Sequence, residues 1–137
     1  MAIEFSSEIP SSDHFWELFQ TTGWNENYRL SPAELMRALC SSWYVLGAYE
    51  GKRLVGFGRL VSDGVVHAMI YDLIVLPEYQ GRGIGGDILE KLVDKCWETG
   101  VRDIQLFCAR GKRKFYEKRG FIARPKDAPG MQYVRQG

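Results

Sequence analysis

Residues 72–86 read Asp72-Leu73-Ile74-Val75-Leu76-Pro77-Glu78-Tyr79-Gln80-Gly81-Arg82-Gly83-Ile84-Gly85-Gly86, and the fold turns on this stretch. Its first residues close a run from Val65 to Leu76 that is rich in apolar and β-branched side chains, which predicts a long strand. Pro77-Glu78-Tyr79 stops that run. From Gly83 to about Thr99 the period becomes helical: Ile84, Ile88, Leu89, Leu92, Val93, Cys96 and Trp97 recur at intervals of three and four, and Gly100 is a natural stop. Between strand and helix, Gly81, Gly83, Gly85 and Gly86 strip the turn of side chains, so a ligand can approach its backbone. The first N–H groups of a helix have no internal partner, and the helix dipole favours negative charge there. Strand, bare turn and helix together predict a phosphate or pyrophosphate site.

A dinucleotide fold is the first rival. Gly81, Gly83 and Gly86 satisfy G-x-G-x-x-G, but that fold also wants an acidic residue at the end of the next strand. Here Asp103 stands at the start of that strand, which ends in Leu106-Phe107-Cys108. The chain offers one β-α-β unit preceded by a hairpin meander, too few parallel strands for a dinucleotide domain. No G-x-x-x-x-G-K-[S/T] loop is present.

Outward from the turn, Ile3 to Ser7 reads as a short strand. Ser12 or Asp13 caps a helix to about Gln20, which Thr22-Gly23-Trp24-Asn25 breaks. Ser31-Pro32-Ala33-Glu34 is a capping box with proline at the first helical position, followed by Leu35, Met36, Leu39 and Cys40 on one face. Trp43 to Tyr49 and Leu54 to Val61 read as strands around Glu50-Gly51-Lys52-Arg53, and Asp63-Gly64 turns the chain again. Beyond the long helix, Ile104 to Cys108 is a strand and Lys114 to Arg119 a brief helix. Phe121-Ile122-Ala123 and Met131 to Val134 are expected to close the sheet as strands. The order predicts one α+β (mixed α/β) domain over 1–137, a mostly antiparallel twisted sheet flanked by about four helices.

Composition bounds the functions. A chain of 137 residues, 45% apolar and 26% charged, can bury a core of its own. Its 18 Lys plus Arg against 17 Asp plus Glu give a net charge of +1, which supplies no general reason to expect nucleic acid or an anionic membrane as partner. Cys40, Cys96 and Cys108 are odd in number and widely spaced, and read as reduced, mostly buried thiols. Met1 to Phe5 lacks the basic flank and apolar run of a signal peptide, and no apolar stretch approaches membrane-spanning length, so the expected location is the cytoplasm. No metal is expected: His14 and His67 are far apart and no H-E-x-x-H occurs.

At residues 72–85 the chain resembles the acetyl-CoA-binding motif of GNAT N-acetyltransferases, whose kernel [Q/R]-x-x-G-x-[G/A] is filled by Gln80, Gly83 and Gly85. Phe115-Tyr116-Glu117-Lys118-Arg119-Gly120-Phe121 resembles that family's second signature, F-Y-x-x-x-G-F. Two signatures in the right order and spacing are far more specific than either alone. The resemblance covers residues 43 to 123 well. The tail Pro129-Gly130-Met131-Gln132-Tyr133 is also similar to the plant serotonin-acetyltransferase-like branch.

The resemblance implies acetyl-CoA as co-substrate, with its pantetheine arm along Leu73, Ile74 and Val75 and its pyrophosphate cradled by Gln80, Gly81, Arg82, Gly83, Ile84, Gly85 and Gly86. Arg110, Lys112, Arg113 and Lys114 either screen the outer phosphates or form a solvated helix start. Transfer to an amine needs a proton removed from the amine, a donor for the oxyanion and an acid for the departing thiolate. A backbone N–H around Ile74 or Val75 suits the oxyanion, and Tyr116 matches the family's proton-donating tyrosine. By composition alone Tyr116 reads as a core residue beside Phe115 and Phe121. For the base, Asp72 ranks ahead of His67, and ordered water is the third choice. Some relatives keep histidine or glutamate where Met69 and Tyr71 stand; on a regular strand these two side chains face away from Asp72. Ala109 falls where many relatives place asparagine in contact with the coenzyme. Cys108 reads better as a buried thiol than as a nucleophile.

The acceptor pocket is expected from Trp24, Tyr28 and Tyr71, with Asn25, Glu26 and Tyr133 nearby. The aromatic residues suit an aryl-alkylamine or a cation, and Glu26 and Asp72 suit a polyamine or lysine side chain. The same residues equally read as surface and core filler, and the sequence does not choose among a small amine, a peptide N-terminus and a protein lysine. Many relatives dimerise, so a homodimer is among the expected states. The alternative to an active enzyme is a CoA-binding module of the same fold that has lost turnover.

Overall fold

The structure, a computed structural model, describes residues 2–135. Packing divides the chain into a larger unit that ends at Leu106 and a smaller one that begins at Phe107.

The larger unit is built on five strands: β1 (Glu4–Ser6), β2 (Tyr44–Glu50), β3 (Arg53–Ser62), β4 (His67–Val75) and β5 (Asp103–Leu106). They lie in sequence order, antiparallel except for the β4–β5 pair. Helices α1 (Ser12–Gln20), α2 (Asn25–Tyr28), α3 (Pro32–Cys40) and α4 (Ile84–Thr99) complete this unit. The architecture is the mixed α/β, mostly antiparallel one the sequence predicts.

Local chemistry sets the boundaries. Ser11, one residue before the expected cap, accepts from the His14 N–H at 3.2 Å and starts α1. At α3 the capping box closes in both directions: Glu34 N–H donates to Ser31 Oγ at 3.2 Å, and Ser31 N–H to Glu34 Oε1 at 2.9 Å. Asp63 Oδ1 accepts the N–H groups of Val65, Val66 and His67, which delays the start of β4 to His67. Gly100, at φ 88°, ends α4, with Gly100 N–H bonded to Trp97 O and Val101 N–H to Cys96 O, a Schellman closure.

The sheet is covered on both faces. Phe57 of β3 meets Phe15 of α1 edge-on at 4.9 Å, so the odd-numbered side of β3 faces α1. On the opposite face Gly56 and Gly58 admit α4: a Cβ on Gly56 would stand 2.9 Å from Ile88 Cδ1, and one on Gly58 2.9 Å from Leu92 Cδ1. Ile88, Leu89, Leu92 and Cys96 are fully buried there. Each such aliphatic side chain contributes about 1.5–3 kcal/mol by leaving water.

The smaller unit holds α5 (Arg113–Glu117). Its expected strands are corrected: among the described residues no strand follows Leu106, and Ile122 and Tyr133 are 91% and 85% exposed. Alternating apolar residues announce a strand, but Pro125 and Pro129 interrupt this stretch and lack the N–H a ladder needs. The thiols are corrected as well, since Cys96 is buried while Cys40 and Cys108 are exposed. No described helix is long and apolar enough to cross a membrane.

Candidate active site

β4 is the strand on which the site is built. Its parallel pairing with β5 runs from His67↔Asp103 to Ile70↔Leu106 and ends there. Its pairing with β3 continues to Gly56↔Val75. Within the larger unit, Tyr71 to Val75 is therefore held on one side only. Leu76 N–H donates to Val55 O at 2.9 Å, which makes that pair the hydrogen-bonded one. The next pair, Val75 with Gly56, then turns its main-chain groups away from β3. Val75 accordingly presents N–H and C=O on the open edge. Ile74 points its own toward β3.

A bulge interrupts the strand at Asp72. Phe57 faces Ile74 and Arg59 faces Tyr71, so Gly58 alone stands against Asp72 and Leu73. Asp72 has φ 55°, one of two non-glycine residues with positive φ among those described. The irregularity corrects the expected facing of the side chains. Arg59 Nε donates to Asp72 Oδ2 at 2.7 Å, and the Arg59 guanidinium lies over the Tyr71 ring at 5.8 Å. Tyr71 and Asp72 thus share the α1–α3 face instead of alternating.

Of the base candidates, Asp72 has its carboxylate tied to Arg59. His67 is paired with Asp103 at the far end of β4, seven residues and about 23 Å from Ile74 at roughly 3.3 Å per residue. Arg59 itself escaped the sequence reading. The signal was present: one arginine within a run of otherwise apolar or glycine residues from Leu54 to Val61 must find an acidic partner.

The glycine-rich turn has the predicted form. Pro77–Tyr79 makes a single 3-10 turn, Gly81 and Gly83 adopt φ 80° and 84°, and no side chain caps α4. The first helical bond runs from Asp87 N–H to Gly83 O at 3.0 Å. The N–H groups of Ile84, Gly85 and Gly86 precede it and point out of the helix end. A Cβ at Gly81 or Gly83 would meet nothing within 4 Å, so glycine is required there by conformation rather than by space. Gln80 Nε2 donates to Val75 O at 3.0 Å, joining the turn to the open edge. Arg82 is not free in solvent: its Nη2 donates to Glu78 O at 3.1 Å and its guanidinium lies 4.8 Å over the Tyr79 ring. Hydrogen bonding to Glu50, then burial, holds the Tyr79 hydroxyl above the ordinary tyrosine range.

On the acceptor side, Trp24 stacks edge-on with Phe19 at 6.0 Å, and Tyr28 is largely exposed on α2. Asn25 proves structural: its Nδ2 donates to Leu30 O at 3.0 Å and its Oδ1 accepts from Leu30 N–H at 2.9 Å.

In the smaller unit Tyr116 lies between Phe115, at 5.0 Å, and Phe121, at 6.0 Å, both edge-on. Burial, and then the Cys108 thiol, raise the Tyr116 hydroxyl above its ordinary range, so it keeps its proton at neutral pH. The exposed Cys108 Sγ donates to Ala109 O at 3.2 Å. Nine of the chain's 18 Lys and Arg residues lie in 107–137, with only two of its 17 Asp and Glu. The net charge of +1 conceals that division. Among the described residues no group of three or more His, Cys, Asp or Glu side chains could hold a metal ion.

An open-edged bulged strand feeding a bare turn at a helix head is matched by the family comparison: residues 8–121 fit the model of the acetyltransferase (GNAT) family. The chain belongs to that family. It is 40% identical over 82 residues to the chloroplastic GCN5-related N-acetyltransferase 2 of Arabidopsis thaliana, covering 60% of this chain and 32% of the relative. It is 36% identical over 83 residues to the chloroplastic serotonin N-acetyltransferase 2 of rice, covering 61% of this chain and 42% of the relative. The chain thus spans about a third to two fifths of these GNAT relatives. A GNAT-family acetyltransferase structure from Streptococcus pneumoniae superposes with a TM-score of 0.80 at 27% identity, over 99% of this chain and 98% of that one.

Proposed function

We propose that this GNAT chain transfers an acetyl group from acetyl-CoA to a primary amine by direct attack. One observation carries the reading: β4 leaves β5 after Ile70 yet stays bonded to β3 through Val75, and its open edge leads into the glycine-rich head of α4. Acetyl-CoA supplies an activated thioester. The residues present suit its binding. The open edge of Leu73 to Val75, with the Val75 N–H turned away from β3, suits an amide-bearing arm, as an edge strand suits an added strand. The N–H groups of Ile84, Gly85 and Gly86, with Gly81 and Gly83 bare beside them, suit a diphosphate. The basic α5 region suits the outer phosphates.

In this reading Val75 N–H stabilises the developing oxyanion. Tyr116 Oη holds the proton for the departing sulfur, a role supported by the F-Y-x-x-x-G-F match and its raised hydroxyl pKa. The amine proton goes to water, because Asp72 is engaged by Arg59 and His67 lies at the other end of the strand. For the acceptor we favour an aryl-alkylamine over a polyamine. Trp24, Tyr28 and Tyr71 are aromatic side chains that stay at least partly exposed, and pairing with Arg59 removes Asp72 as a free anion for a second cationic group.

Thiol release from acetyl-CoA across an aryl-alkylamine, spermidine and a lysine peptide tests the proposal. Turnover is expected to be highest with the aryl-alkylamine. Coenzyme binding without thiol release on any amine would leave only a CoA-binding module.

A further inference from the structure

We propose that Arg59 is a positioning residue of the acyl-transfer site, locking the bulge of β4 and tying it to the end of α3. The inference rests on the acetyltransferase reading for its effect on rate, and on the geometry alone for the lock.

Arg59 lies in the central part of β3, with a side chain only 17% exposed. Its contacts reach three places. Nε donates to Asp72 Oδ2 at 2.7 Å; Nη1 donates to Ser42 Oγ at 3.1 Å and to Ala38 O at 3.4 Å. The guanidinium plane also covers Tyr71. Ala38 is in the last turn of α3, and its carbonyl also accepts from Ser41 N–H and Ser42 Oγ, both at 3.2 Å, so Arg59 joins a hydrogen-bonded cluster at that helix end.

Asp72, at the other end of the contact, holds a left-handed backbone, which aspartate adopts more readily than most residues but at a cost glycine does not bear. Such a conformation persists only where its surroundings over-determine it. Here the ion pair supplies the constraint. A half-buried ion pair adds little net stability over an apolar pair of similar size. Its consequence is directional: it fixes which way the main chain leaves residue 72, and hence where Val75 aims its N–H. It also links that strand to α3, which follows the segment carrying Trp24 and Tyr28. Coenzyme-side and acceptor-side elements are therefore registered through one guanidinium.

The test compares wild type with Arg59→Met, Arg59→Lys and Arg59→Met combined with Asp72→Gly. Two readouts are used: the backbone φ of residue 72 from NMR couplings and shifts, and steady-state kinetics with acetyl-CoA affinity from calorimetry. Arg59→Met is expected to move residue 72 out of the left-handed region. It should lower kcat at least tenfold while changing acetyl-CoA affinity less than threefold. Arg59→Lys should recover part of kcat. The double variant should recover part as well, since glycine takes the bulge conformation without being held. Unchanged φ at residue 72 in Arg59→Met, or kcat within twofold of wild type, would overturn the proposal. Wild type inert on every amine would instead overturn the acetyltransferase reading, and the NMR arm would still decide the lock.

Discussion

Gln80 Nε2 donates to the carbonyl of Val75 across 3.0 Å, so the first residue of the glycine-rich turn is tied to the last residue of β4. Gln80→Ala removes that tie without touching the core. Acetyl-CoA affinity measured by calorimetry should fall several-fold, while the thermal midpoint moves by no more than a few degrees, the shift expected for about 1 kcal/mol.

Tyr116→Phe deletes one hydroxyl inside an aromatic cluster. The expected result is a fall in kcat of about 10²-fold at saturating amine, the lower range for loss of an acid catalyst, with KM for acetyl-CoA little changed. The sign of the pH effect follows from burial. A raised hydroxyl pKa preserves the donor to higher pH, so the falling limb of kcat due to Tyr116 should lie above about 10, the ordinary tyrosine value.

Two glycines should fail for different reasons. Gly58→Val drives side-chain atoms into Leu92 and Ile88 and should cost about 1–3 kcal/mol in urea unfolding. Gly83→Ala meets open space but forces a left-handed alanine at φ 84°, about 1–2 kcal/mol. Only Gly83→Ala should weaken coenzyme binding more than it destabilises the fold.

The three thiols should separate by reactivity. Iodoacetamide is expected to modify Cys40 and Cys108 in the native protein and Cys96 only after unfolding, as read by peptide mass. Burial raises the Cys96 pKa. The neutral thiol is thus the folded form, and its contribution to stability is complete below about 8.5 and lost as pH rises through the higher folded value.

Salt should act on one constant. If the basic residues of 107–137 hold the coenzyme's phosphates, KM for acetyl-CoA should rise several-fold from 0.1 M to 1 M salt, as screening shortens from about 10 Å to about 3 Å. A flat KM would remove those residues from the coenzyme site.

Much of this was legible in the chain. The capping box at Ser31 and the switch of period around Gly81–Gly86 are local signals, and local hydrogen bonds realise them. The bulge was not legible, because an inserted residue shows only against a partner strand, and nothing in Tyr71-Asp72-Leu73 announces it. The same holds for the role of Asp72, which depends on an arginine thirteen residues away. The tail misled because Phe121-Ile122-Ala123 and Met131 to Val134 carry the composition of strands. Composition says nothing of whether an edge is available to pair with.

The clasp that Asn25 makes on Leu30 has a use beyond closing a turn. Both ends of that loop are secured by a single amide, so Glu26, Asn27 and Tyr28 form a self-contained cassette, with Arg29 at φ 54° as its left-handed exit. Those three positions can be rewritten, by drift or by an engineer seeking a new amine, while the hydrophobic scaffold beneath them stays the same.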